Sequence, residues 1–121
     1  WEELKLAPLL ARGVGRDPGA MGTVGALDLA TRSAARSIGL ADAGHLSPGA
    51  WADIIRIDTD QPAFSPGIDL LAHLVFAGSS RFVTDVWVAG RRVVDRGTLT
   101  TVDVGRCLDE VGKRGRRLAG H

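Results

Sequence analysis

The chain has 121 residues, enough for one modest domain with a real core, and 15 basic against 14 acidic side chains leave a net charge of +1. So balanced a charge marks out neither an acidic nor a basic partner, and no apolar run reaches the length of a membrane span or a secretory leader. The single Cys107 excludes an internal disulfide and fits a reducing compartment, so the expected location is cytoplasmic.

Trp1 to Arg12 places Leu4, Leu6, Leu9 and Leu10 among charged residues in a partial helical period. Pro8 is expected to kink or end that helix unless it lies in the first turn. The segment opens like the inside of a helix and without methionine, so sequence is expected to precede it. Gly13 to Gly22, with four glycines and Asp17-Pro18, reads as a loop. The clearest helix follows, with Thr23 as N-cap and Leu27, Ala30, Ala34 and Ile38 on one face. Gly39 is placed for a left-handed C-terminal cap with Leu40 beyond it, and Ala30, Ala34 and Ala35 are small enough for close packing.

Pro48-Gly49 suits the centre of a type II turn, proline presetting φ and glycine taking the positive φ. Ala52 to Ile57 then supplies a β-branched strand closed by Asp58. After an irregular crossing from Asp60 to Pro66, Asp69 should begin a short helix through Ala77, with Leu70, Leu71, Leu74 and Val75 inward and Gly78 as its stop.

A hairpin is predicted from Val83–Val88 through Ala89-Gly90 to Arg91–Asp95. A two-residue turn sets Val88 opposite Arg91, Trp87 opposite Arg92 and Val86 opposite Val93, and lets Arg92 stack on Trp87. Ala89 is poorly suited to a type I′ turn because it also needs positive φ. Arg96 to Thr100 turns into one more short strand. From Thr101 or Asp103 a last helix puts Val104, Leu108 and Val111 on one face and dissolves at Lys113-Arg114-Gly115-Arg116-Arg117.

Several side chains invite a chemical role and have a plainer use. His45 lacks a partner at metal-ligand spacing and reads as a surface or capping residue. His73, among Leu71, Leu74 and Val75, reads as a part-buried donor to backbone, and His121 as a disordered terminus. Cys107 has no histidine or lysine nearby in sequence to activate it and reads as a packing residue. Asp53 and Asp58 flank a strand and read as strand-end and turn-bonding groups. Lys113 to Arg117 lacks the interleaved aromatics of a nucleic-acid surface. Gly13-Val14-Gly15 follows no strand, which removes the phosphate-loop reading.

In order, Trp1-Glu2-Glu3-Leu4-Lys5-Leu6-Ala7, Ala30 to Leu40, the stretch Gly44 to Asp58 (G-x-L-x-P-G-x-x-A-D-I-I-x-I-D), His73 to Ala77 and the Val83 to Asp95 hairpin resemble the carboxy-terminal portion of the amidohydrolase superfamily. The likeness is to its cytosine deaminase-like branch of metal-dependent deaminases and chlorohydrolases. The resemblance implies an α+β chain: terminal outer helices of a (β/α)8 barrel in residues 1–40, half of a small composite β-sandwich in 41–100 with a short helix at 69–77, and a C-terminal helix and tail in 101–121. It implies a parent enzyme in which a divalent metal, zinc or iron, activates water against a carbon–nitrogen bond of a small molecule. The His-x-His pair, further histidines, a proton-shuttling glutamate and a last-strand aspartate that the family uses have no counterparts in this sequence. The expectation is therefore that the chain holds no catalytic, cofactor-binding or metal residue, binds no cofactor itself, and is inert alone. Its expected partner is a missing amino-terminal barrel segment or a separate chain of a split enzyme. Without it, uncovered apolar faces imply aggregation or a homo-oligomer, with no nucleic acid and no membrane as partner. The alternative is a non-catalytic β-rich module that binds another protein through its open edge.

Overall fold

The computed structural model describes residues 1–120; the expectation for His121 lies outside the described residues. The helices within residues 2–37 and 70–77 pack on one another, and a four-stranded antiparallel sheet is formed by β1 (Ile54–Ile57), β2 (Val83–Val88), β3 (Arg91–Asp95) and β4 (Thr98–Leu99), in that order.

Helix α1 spans Glu2–Gly15 and continues past Pro8. The helix therefore does not end there, and the expected loop shortens to residues 16–22. Pro8 leaves the Leu4 carbonyl without its helical donor, but the ring is fully buried, and that burial offsets the lost bond. Arg12 closes the loop by donating from Nε (3.2 Å) and Nη2 (2.8 Å) to the Met21 carbonyl, while its guanidinium lies 5.3 Å from the centre of the Phe76 ring.

The second helical segment comprises α2 (Thr23–Asp28), a π-helical turn (Leu29–Ser33) and α3 (Ala34–Ser37). Gly22, not Thr23, is its N-cap, and Thr23 is already helical. The inward face also differs. Ala26 and Ala35 are buried, whereas Ala30, Ala34 and Ile38, expected inside, are exposed. A strict 3.6-residue period sets Ala26 and Ala35 on opposite sides; the wider π turn between them rotates the helix and brings them closer to one face. At the end the sequence reading holds. Gly39 takes φ +81°, its N–H donates to Arg36 at 3.0 Å, and the Leu40 N–H donates to Ala35 at 2.9 Å, the paired bonds of a Schellman cap.

The connection to the sheet is built on close backbone approaches. Gly44 lies so near the π turn that a Cβ would overlap the Thr31 carbonyl. Gly49 takes φ +87° and Ala50 N–H donates to Ser47 at 3.1 Å, the type II turn expected at Pro48-Gly49. Strand β1 is Ile54–Ile57, two residues shorter than expected at its start. Asp69 caps α4 (Leu70–Ala72) by accepting from Ala72 N–H, and the helix continues as a second π turn, His73–Ala77. Val75 is fully buried there, but Leu70 and Leu71 are exposed, contrary to expectation, although α4 also touches α2. Phe64 and Phe82 meet edge to face, centroids 5.7 Å apart, and join the helical side to the sheet.

Strands β2 (Val83–Val88) and β3 (Arg91–Asp95) form the expected hairpin, with Ala89 and Gly90 at φ 49° and 77°. Val88 opposes Arg91 and Trp87 opposes Arg92, but Val86 opposes Val94. A one-residue bulge at Val93 of β3 displaces the expected Val86–Val93 pairing. Strand β4 (Thr98–Leu99) closes the sheet. Asp103 caps α5 (Val104–Leu118), which runs on through Lys113–Arg117 and does not dissolve there. Arginine and lysine are good helix formers, and positive charge suits a helix C-terminus.

Candidate functional site

The most concentrated polar chemistry surrounds Asp85, the one fully buried charged side chain among the described residues. It sits on β2 directly opposite Arg56 of β1, whose Nη2 is 2.5 Å from Oδ2. Arg92 of β3 reaches the same carboxylate, donating from Nε to Oδ1 at 2.9 Å and also through Nη2, and the Arg96 N–H approaches Oδ1 at 3.3 Å. Arg92 bridges onward to Asp95 at 2.8 Å and stacks on Trp87, 5.5 Å from the ring centre. Burial alone would raise the Asp85 pKa. The bonds from Arg92, Thr84 and the Arg96 amide, with the Arg56 charge, outweigh it and hold the carboxyl well below the usual range. The hydrogen bond to Asp85 in turn raises the Arg92 pKa, against desolvation. A carboxylate held by two guanidiniums, with its hydrogen bonds on Oδ1 and the Arg56 charge beside Oδ2, fastens three strands together; it is not poised to take a proton. Sequence reading found the Trp87–Arg92 stack but missed Asp85, whose signal was its place two residues before Trp87, on the same face.

The other candidates are separate from this node. Asp53 accepts from the Ala89 N–H at 2.7 Å and so braces the hairpin turn. Asp58 accepts from the Asp60 N–H at 2.9 Å and from Gln61 Nε2 at 2.6 Å, the turn bonding expected of it. His73, half-buried, has Nδ1 3.0 Å from the Ala63 carbonyl, as a donor to backbone should. His45 Nε2 faces the Ala41 carbonyl at 3.4 Å. Cys107 is exposed on α5, so the packing role expected of it is not realised within these residues. In the basic cluster, Lys113 pairs with Glu110 at 3.1 Å. Gly13 and Gly15 lie within α1.

Among the described residues no three His, Cys, Asp or Glu side chains converge as a metal-binding group. The imidazoles face backbone carbonyls and the buried carboxylate is surrounded by arginines, a donor set that does not fit a divalent ion. No helix among the described residues is long and apolar enough to cross a membrane.

Known proteins supply the frame for this arrangement. The chain is 39% identical, over 98% of its own length, to the 5-methylthioadenosine/S-adenosylhomocysteine deaminases of Bacillus thuringiensis (strain Al Hakam) and Bacillus cereus (strain G9842), but spans only 27% of theirs. Its structure is similar to an adenosine deaminase from Xanthomonas campestris crystallised with bound zinc (TM-score 0.91, 27% identity, 99% of this chain and 28% of that one). It is also similar to the zinc complex of atrazine chlorohydrolase from Arthrobacter aurescens TC1 (TM-score 0.76, 25% identity, 91% of this chain and 25% of that one). The profile of the amidohydrolase family matches residues 1–93. The bare helical faces, the small antiparallel sheet and these likenesses together make the chain a member of the amidohydrolase family.

Proposed function

We propose that the 121 residues are the carboxy-terminal scaffold of a cytoplasmic, metal-dependent amidohydrolase of the deaminase type, which attacks a carbon–nitrogen bond, other than a peptide bond, with metal-activated water. Residues 1–40 serve as outer helices of the catalytic barrel. Residues 41–100 form about half of a composite β-sandwich, and residues 101–121 supply a terminal helix. The reacting groups belong to an amino-terminal segment or a separate chain, and these residues alone are inert.

The observation that carries this reading is the mismatch between pattern and burial. Ile38 is 72% exposed and Leu70 is 51% exposed on helices whose periodicity marks them for a core. Such faces suit a chain that spans about a quarter of the relatives it matches. Zinc in the solved neighbours and the deaminase names of the Bacillus relatives support the metal and the reaction class.

The test is reconstitution. The chain is co-expressed with the rest of the Bacillus deaminase, its matching quarter deleted, and ammonia release from 5′-methylthioadenosine and S-adenosylhomocysteine is measured with zinc present. Turnover only when both parts are present supports the scaffold reading. Ammonia release, or zinc retained through dialysis, by the 121 residues alone refutes it.

A further inference from the structure

We draw no further inference here: the strongest candidate, the row of Ile55, Val86, Val94 and Leu99 that lie opposite one another across the four strands of the sheet, is an apolar face already counted in the composite sandwich proposed above, and nothing in the structure shows what covers it.

Discussion

The indole Nε1 of Trp1 donates to the carbonyl oxygen of Leu74 at 3.0 Å, tying the first turn of α1 to the second π turn across 73 positions of sequence. The contact depends on Gly78, because a Cβ there would overlap both the Leu74 carbonyl and the Trp1 indole nitrogen. Gly78 ends its helix as expected, but with φ −62° it does so in an extended conformation open to any residue. Its need for glycine is space, not a left-handed backbone.

Trp1→Phe keeps an aromatic ring, though a smaller one, and removes the donor. The expected loss is about 1 kcal/mol, the cost of a part-buried carbonyl left unpaired. Gly78→Ala should cost more, since it displaces the indole and strains the turn. Urea denaturation of the three proteins side by side gives the ranking, and a Gly78→Ala protein as stable as wild type would contradict it.

Asp85→Asn places amide hydrogens against the Arg56 and Arg92 guanidiniums and should give the largest loss of any single polar change in the sheet. The pH dependence has a definite sign. Because the folded pKa is depressed, the carboxylate contributes its full stability above the unfolded-state pKa of about 4; that contribution is lost as acid carries the pH below this value toward the folded one. Thermal midpoints between pH 7 and pH 2.5 should fall less for Asp85→Asn than for wild type.

Ala89 at φ 49° bears a strain that asparagine or glycine relieves. Ala89→Asn retains the N–H that donates to Asp53, so the hairpin should gain roughly 0.5 to 1 kcal/mol. An unchanged or lower melting temperature would show that the strain is not stored there.

Gly44→Ala fails on two counts, a φ of +78° and overlap with the Thr31 carbonyl. A loss of several kcal/mol is expected, on the order of 3, with faster amide exchange along Leu29–Ser33 as the π turn is pushed aside. Protection there equal to wild type would place the strain elsewhere.

Local chemistry was enough to read much of this chain. The Pro48-Gly49 turn, the Schellman cap at Gly39, the Asp69 and Asp103 caps and the Ala89-Gly90 hairpin all depend on bonds between residues a few positions apart, so sequence alone specifies them. The ordered succession of such pieces also sufficed to recognise the amidohydrolase family. Tertiary structure decided the rest. Pro8 stays helical because it is buried, Ala35 replaces Ala34 inside because a π turn intervenes, and Val86 meets Val94 because of a bulge. Asp85 stays charged while buried only because β1 and β3 bring Arg56 and Arg92 to it from either side. Periodicity states which face of a helix prefers to leave water; whether it does depends on a second surface, and for Ile38, Leu70 and Val111 the described residues provide none.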